Sequence, residues 1–175
     1  VEWRSQSTER AAKELSRKAG MWFEETVCSR LHQLGIKGSR AKSHVGKHKL
    51  QIPGDVGEID FLGFNPEDNA IVIIEAKMVF TGLEAKFWQD DLYKFVNARN
   101  SHAKKFSRKI RWVQDRQSDI RKALNVGSGI ELQVAMLTLY PCIADQFLDE
   151  FRCVSITEFM LDWELKGGWP YNSLK

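Results

Sequence analysis

Several features are missing from this sequence of 175 residues, and each absence excludes a class of protein. No apolar run approaches the roughly 18 residues of a membrane-spanning helix, so we expect no membrane partner. The sequence has three cysteines, an odd number, and none of them forms a Cys-x-x-Cys motif. They are Cys28, Cys142 and Cys153. We therefore expect no disulfide framework and a cytoplasmic location. No repeat or low-complexity tract is present, and ten Phe and six Trp argue against a disordered chain.

The length predicts one domain over residues 1–175, and a start at Val rather than Met is compatible with a piece of a longer protein. The formal net charge is only +3, but the basic residues are concentrated in two segments. Six lie between Arg30 and Lys49, with no acidic residue among them, and eight lie between Ser101 and Lys122. Such segments are typical either of a polyanion-binding protein or of solvated helix faces, and charge alone does not decide between these alternatives.

The hydrophobic pattern predicts helices that alternate with strands. Apolar residues at three- and four-residue steps predict a long first helix from Thr8 to Leu34, and the basic stretch Lys37–Lys49 has the composition of a loop. Strands are predicted at 50–52, 56–64, 70–79, 130–139 and 154–156, and further helices at 83–98, 103–124, 143–151 and 157–165. This order predicts an α/β sandwich with a mixed central sheet flanked by helices.

Three of the charged residues in the predicted hairpin at 56–79 have strongly apolar neighbours in their strands. Asp60 has apolar neighbours in the first strand, and Glu75 and Lys77 end the second, most apolar strand. Because strand side chains alternate, Glu75 and Lys77 share a face, and the hairpin allows Asp60 to approach them. Buried charges must be paired or bind an ion, and two converging carboxylates favour Mg²⁺ or Mn²⁺. The alternative is a buried ion-pair cluster without catalytic function.

The first predicted helix supplies a fourth candidate. Glu24 lies three residues before Val27 and seven before Leu31, so it belongs to the apolar stripe and is expected to point toward the sheet. The alternative is that Glu24 has no function, because acidic residues are also common at the edge of the apolar stripe of a helix.

These residues resemble the motif of the PD-(D/E)xK nuclease superfamily, which has the restriction-endonuclease-like fold. The matching residues are Gly57-Glu58-Ile59-Asp60 and, fifteen residues after Asp60, Glu75-Ala76-Lys77, with Ile59 where the family name has Pro. The stretch from Gly20 to Gly35 is similar to the first helix of Mrr-type and Holliday-junction-resolvase-type members. Gln89-Asp90-Asp91-Leu92-Tyr93 is similar to the Gln-x-x-x-Tyr motif of RecB-type nucleases. The resemblance implies a three-layer sandwich with an αβββαβ core.

The resemblance also implies roles for these residues. Asp60 and Glu75 would hold Mg²⁺ or Mn²⁺, with the Ala76 carbonyl and Glu24 as further ligands. Lys77 would orient or deprotonate the attacking water, or stabilise charge on the phosphate, and Gln89 would position Lys77 or the phosphate. A lysine beside a bound cation is expected to have a lowered pKa. Glu58 is expected to be peripheral.

Basic residues of the two segments are candidates for contact with the nucleic-acid backbone, which positions a substrate without reading its sequence. The alternative is a helix with its aromatic residues in the core and its charges in solvent. The candidates are Lys42, Lys47, Lys49, Lys104, Lys105, Arg108, Lys109 and Arg111. Another pattern, Cys28-x-x-x-His32 with His44-x-x-x-His48, has ligand types that zinc accepts, although the second pair lies in a predicted loop.

Together these residues predict a metal-dependent deoxyribonuclease that hydrolyses DNA phosphodiester bonds, and the resemblance suggests a role in restriction, defence or repair. The alternative is a catalytically silent nuclease-fold module for nucleic-acid binding or assembly in a larger protein. A third alternative is that the same metal-dependent hydrolysis of phosphodiester bonds acts on RNA instead of DNA. A homodimer or additional domains of a longer chain are compatible with either function, and the sequence shows no interface signature.

Overall fold

The computed structural model describes residues 6–46, 50–78, 85–127 and 131–174. The helices of this part of the chain are α1 (Gln6–Gln33), α2 (Ala85–Leu92), α3 (His102–Asp115), α4 (Gln117–Leu124) and α5 (Ile156–Lys166). The strands are β1 (Lys37–Ala41), β2 (His44–Val45), β3 (Leu50–Gln51), β4 (Ile59–Asn65), β5 (Ala70–Lys77), β6 (Leu132–Thr138) and β7 (Arg152–Ser155). None of the described helices combines the length and the apolar character that crossing a membrane requires.

Five of these strands form one mixed sheet in the order β1-β4-β5-β6-β7. β1, β4 and β5 are antiparallel neighbours, whereas β6 and β7 run parallel to β5. β2 and β3 pair separately as a two-stranded sheet. The predicted α/β class with a mixed central sheet is therefore confirmed.

Helices cover both faces of the five-stranded sheet. Phe106, Ile110 and Val113 of α3 pack with Ile71 and Ile73 of β5 in one apolar cluster. On the other face, side chains of α1 and α5 pack against the alternate residues of β5. The members of that second cluster are Phe23, Val27, Leu31, Phe159, Trp163, Val72 and Ile74. β5 is thus buried on both faces, as its apolar run predicts.

The predicted loop Lys37–Lys49 is wrong at its start, because Lys37–Ala41 forms the edge strand β1. Its register places Gly38 opposite Gly63 of β4. A Cβ on Gly38 would lie 2.5 Å from the Gly63 Cα atom and 2.6 Å from Cζ of Phe61. The two glycines allow the strands and the Phe61 ring to approach, and pairing across the chain overrides the loop-like composition. Lys47 and Lys49 lie outside the described residues.

Three predicted helices are also divided or shortened. Within the helix predicted at 83–98, the described residues form the α-helix α2, which ends at Leu92 and continues as a π-helical turn at Tyr93–Asn97. The helix predicted at 103–124 breaks at Arg116, which has φ −116° and ψ 18°, so that α3 and α4 are separate. The segment predicted as a helix at 143–151 contains only a 3-10 turn, Ile143–Phe147.

Candidate active site

Asp60, Glu75 and Lys77 come together where β4 and β5 lie side by side. The last register pair between the two strands is Phe61 with Ile74, so Asp60 and Glu75 are the next residues outward. The Lys77 Nζ atom lies 2.7 Å from Glu75 Oε1 and 3.2 Å from Asp60 Oδ2. The hairpin therefore produces the convergence that the sequence predicts.

Backbone groups of β5 hold this arrangement in place. The Ala76 N–H donates a hydrogen bond of 2.9 Å to Asp60 Oδ2, which fixes that carboxylate against the neighbouring strand. The Ala76 carbonyl oxygen accepts a hydrogen bond of 3.0 Å from Lys77 Nζ. Lys77 thus contacts Asp60, Glu75 and the Ala76 carbonyl, which are three of the metal ligands that the resemblance implies. It makes no such contact with Glu24, the fourth.

The pKa of Lys77 is shifted upward, whereas the sequence analysis predicts a downward shift. Burial lowers the pKa of Lys77, but the charges of Glu75 and Asp60 raise this pKa by more, so its net shift is upward. The sequence predicted a downward shift, because that prediction placed a bound cation next to the lysine. With only protein groups around it, Lys77 is held as an ammonium ion, which suits charge stabilisation and orientation.

Lys109 of α3 is a fourth member of this cluster. Its Nζ atom lies 2.6 Å from Glu75 Oε2, and both side chains are buried. The sequence analysis placed Lys109 among exposed phosphate-binding residues, and its position is a correction. Lys109 shares the buried face of α3 with Phe106 and Ile110, where the backbone of a nucleic acid cannot reach it.

Glu24 lies beside the cluster and is held by Arg40 of β1. The Arg40 Nη1 atom is 2.9 Å from Glu24 Oε2, which has no well-directed hydrogen bond within the described residues. Burial raises the pKa of Glu24, and the charge of Asp60 adds to this shift, whereas Arg40 and Lys77 oppose it. Arg40 also makes a bidentate ion pair with Glu58, which brings that expected peripheral residue to the edge of the site.

His102 is a site neighbour that the sequence analysis missed. Its ring packs edge-on against Phe95, with 4.9 Å between the ring centroids. Burial lowers its pKa to about 4, helped by the positive charges of Lys77 and Lys105. His102 is therefore neutral near pH 7. Its place at the start of the basic helix, directly after the capping residue Ser101, was the only signal in the sequence.

The other expected site residues lie farther out. Gln89 is exposed on α2, and its side chain makes no hydrogen bond with any residue that the structure describes, so it is not brought to Lys77. The remaining basic candidates that can be described are exposed on the short connection after β1 and on α3. These residues are Lys42, Lys104, Lys105, Arg108 and Arg111.

Metal-ligand geometry can be assessed for the described residues only. Among them, no group of three or more His, Cys, Asp or Glu side chains could hold a metal ion. In the zinc alternative, His32 Nε2 lies 2.8 Å from the Gly38 carbonyl oxygen and the His44 ring 2.9 Å from Ser43 Oγ. His48 lies outside the described residues. The zinc alternative therefore receives no support from this part of the chain.

The arrangement combines the buried Glu75 carboxylate, the half-buried Asp60 carboxylate, a carbonyl oxygen and two ammonium groups within one cluster, with the carboxylates of Glu24 and Glu58 at its edge. Oxygen donors of this kind suit a hard divalent cation, and the lysines suit an anionic substrate. Comparison with protein-family models, with curated proteins and with solved structures finds no match for this chain.

Proposed function

We propose that the protein is a metal-dependent deoxyribonuclease of the PD-(D/E)xK type, which hydrolyses phosphodiester bonds of DNA. The observation that carries this proposal is the contact of Lys77 Nζ with both Asp60 and Glu75, at 3.2 and 2.7 Å. A structural ion pair needs only one carboxylate and one ammonium group. Here several carboxylates and cationic groups gather at one end of β4 and β5, as a site for a cation and an anion would require.

The strand order supports the same proposal. The chain begins with the helix α1, which is followed by the antiparallel strands β1, β4 and β5 of the central sheet. The helical segment α2 to α4 comes next, and it leads into β6, which runs parallel to β5. This order is compatible with the αβββαβ core of a restriction-endonuclease-like three-layer sandwich. α1 brings Glu24 to the site, and α3 brings Lys109, so each face of the sheet contributes a side chain.

The donor set fits Mg²⁺ or Mn²⁺ better than zinc. Mg²⁺ is commonly bound by one or two carboxylates, with water and substrate phosphate completing the coordination, so three protein carboxylates are not required. Asp60, Glu75 and the Ala76 carbonyl would hold the ion, and Glu24 would support it. When bound, the ion would supply charge neutralisation at the phosphate and would favour ionisation of the attacking water.

The protein groups would then act on the substrate as follows. Lys77 would leave the carboxylates, since 23% of its side chain is exposed, and would orient the water or stabilise negative charge on the phosphate. Arg40 would keep the Glu24 carboxylate directed toward the site. The exposed basic residues of α3 and Lys42 would hold the DNA backbone, and Gln89 would contact the phosphate near the cleaved bond.

The biological setting of such an enzyme would be restriction, defence or repair in the cytoplasm. All three cysteines are free thiols, which is compatible with a reducing compartment. RNA as the substrate, and a homodimer that cuts both strands, are variants of the same proposal.

A catalytically silent nucleic-acid-binding module is the second candidate. It would explain the exposed basic residues without cleavage. The complete set of Asp60, Glu75 and Lys77 argues against it, because a buried ion pair can often be replaced by well-packed apolar residues without loss of stability, so stability alone does not require these charges.

The decisive experiment is cleavage of supercoiled plasmid and single-stranded DNA with Mg²⁺ or Mn²⁺, compared with EDTA. The test variant is Lys77→Met, which keeps most of the side chain, and the matched control is Lys166→Met, which changes an exposed lysine in the last turn of α5. We expect metal-dependent cutting that Lys77→Met abolishes and Lys166→Met leaves unchanged. Salt-sensitive DNA binding without cutting would instead support the binding module. If the protein neither binds nor cuts DNA or RNA, both candidate functions are refuted.

A further inference from the structure

Two of the three cysteines, Cys142 and Cys153, lie side by side in the interior of the protein. Cys142 directly precedes the 3-10 turn Ile143–Phe147, and Cys153 lies in β7. Both belong to the apolar cluster on the α3 side of the sheet, and their thiol groups share a hydrogen bond. The third cysteine, Cys28 of α1, packs against the cluster on the other face. The fold therefore brings together one particular pair of thiols and leaves the third apart.

The backbones that carry these two thiols are joined through Asp145. Its N–H donates a hydrogen bond of 3.3 Å to the Cys142 carbonyl oxygen, and its Oδ1 atom accepts one of 2.7 Å from the Cys153 N–H. Arg152 holds the same carboxylate in a bidentate ion pair, at 2.9 Å from Oδ1 and 2.7 Å from Oδ2. The turn and the strand are thus fixed to each other next to both cysteines. Two cysteines can form a disulfide without backbone movement only where their backbones are already this closely placed.

The two thiols differ in exposure and in acidity. Cys142 is 7% exposed, whereas Cys153 is fully buried, so a small oxidant reaches Cys142 first. The hydrogen bond with Cys153 lowers the pKa of the Cys142 thiol, and a backbone hydrogen bond with Ala144 adds to this shift, although burial opposes it. The hydrogen bond with Cys142 and burial raise the pKa of Cys153. Since the thiolate is the nucleophilic form, Cys142 is the thiol that reacts first.

From this arrangement we infer that Cys142 and Cys153 are a redox-modification site, which hydrogen peroxide converts into a disulfide. The Cys142 sulfur attacks one peroxide oxygen, an S–O bond forms as the O–O bond breaks, and the departing hydroxide takes the Cys142 proton to become water. The Cys153 sulfur then displaces the hydroxyl group from Cys142. An S–S bond forms, the S–O bond breaks, and the Cys153 proton leaves with the hydroxide as a second water.

The two thiols together lose two electrons in this sequence, and the peroxide gains them. A dithiol reverses the reaction by thiol–disulfide exchange, so the bridge is transient in a reducing compartment. The inference concerns residues outside the proposed active site and does not depend on nuclease activity.

The test treats the reduced full-length chain with hydrogen peroxide, in its native state and unfolded in guanidinium. Free thiols are counted after denaturation, and bridges are located by mass spectrometry of tryptic peptides without a reductant. Trypsin cleaves after Arg152, which places the two cysteines in separate peptides, 123–152 and 153–166. A disulfide between them is therefore observed directly as a linked pair of peptides. Circular dichroism before and after oxidation verifies that the fold is retained.

The variants assign the effect to the pair. Cys142→Ala and Cys153→Ala each remove one partner, and Cys28→Ala is the matched control, because it removes the cysteine outside the pair. We expect the native wild type to fall from three thiols to one and Cys28→Ala to fall from two to none, both with the linked peptides. Dithiothreitol should restore every thiol. Cys142→Ala and Cys153→Ala should yield no intramolecular bridge.

Three results would overturn the inference. They are a native wild type that keeps all three thiols until the fold is lost, a bridge that joins Cys28 to either partner, and oxidation of Cys142 beyond the sulfenic acid without a bridge to Cys153. The wild type and Cys28→Ala decide the question even if Cys142→Ala or Cys153→Ala does not fold. A linked pair of peptides that appears only after unfolding in guanidinium would likewise contradict a site built by the fold.

Discussion

Arg40 of the edge strand β1 is joined to Glu24 of α1 by an ion pair with 2.9 Å between Nη1 and Oε2. The same guanidinium makes a bidentate contact with Glu58, directly before β4. One arginine thus connects the first helix to two strands and fixes a carboxylate beside Asp60. Groups that orient a metal-supporting carboxylate commonly affect metal affinity or activity by tenfold or more.

If the protein is the proposed nuclease, Arg40→Gln is therefore expected to lower plasmid cleavage about tenfold, because Glu24 loses the group that directs it. The free energy of unfolding should fall by only about 1 kcal/mol, since the Arg40 side chain is one-third exposed and solvent screens its ion pairs. Both quantities can be measured on one preparation, by cleavage assay and urea titration. Arg10→Gln, on the exposed first part of α1, is the control. Equal losses in both variants would contradict a positioning role for Arg40.

Gly63→Ala tests the close approach between β1 and β4. A Cβ at this position would contact the Lys37 carbonyl oxygen and lie 2.8 Å from both the Gly38 Cα and the Phe61 ring. Because two of these neighbours are backbone atoms, relief requires the strands to separate, and we expect a loss of about 3 kcal/mol. Urea-induced unfolding measures this loss.

Gly20→Ala is the matched control for that substitution. Gly20 lies inside α1, and no atom is within 4 Å of a Cβ built there. Alanine is the better helix former by about 0.5–1 kcal/mol, so this variant should be more stable than the wild type. An unaffected Gly63→Ala would mean that the described approach of the strands is wrong, whereas a destabilised Gly20→Ala would mean that the surroundings of Gly20 are not open.

The sequence predicts the central part of the site because that part depends on local geometry. The two-residue spacing of Glu75 and Lys77 places them on one face of a strand, and a tight hairpin brings Asp60 beside them. β1 could not be predicted in this way. Its residues have no strand composition, and they are extended because Gly38 meets Gly63 in another segment.

Lys109 shows a different kind of error. Phe106, Ile110 and Val113 recur at helical steps, and Lys109 lies directly beside the arc that they define. The periodicity therefore contained the signal that Lys109 is buried, but its charge favoured an exposed assignment. Arg40 had no such signal, because its role depends on how α1 docks beside β1.

His102 predicts a pH dependence of stability. Its pKa is lowered from 6.5 to about 4 in the folded protein, mainly by burial, so the unfolded chain binds more protons between these values. The stabilisation is complete above pH 6.5 and is lost as the pH falls toward 4. Because the ring is partly exposed, we expect this contribution to be about 2 kcal/mol rather than the full value of the shift.

The measurement is the free energy of unfolding at pH 7 and pH 5 for wild type and His102→Gln. The wild type should lose more stability over this interval than the variant, which has no imidazole at position 102 to be protonated on unfolding. His44→Gln, which removes an exposed histidine, should behave as the wild type does. Parallel losses in wild type and His102→Gln would show that the lowered pKa of His102 does not contribute.

The exposed basic residues of α3 predict how binding to duplex DNA depends on salt. Lys105 and Arg108 lie one turn apart on the solvent side of the helix, whereas Lys109, the residue after Arg108, is buried. If DNA lies along this surface, each lost phosphate contact lowers the slope of log K against log salt by about one unit. The double variant Lys105→Gln, Arg108→Gln should therefore reduce the slope by about two and weaken binding to unrelated sequences equally. Lys13→Gln with Lys18→Gln on exposed α1 removes the same charge elsewhere. An identical change in slope from both pairs would mean that net charge, and not a surface formed by α3, controls the affinity.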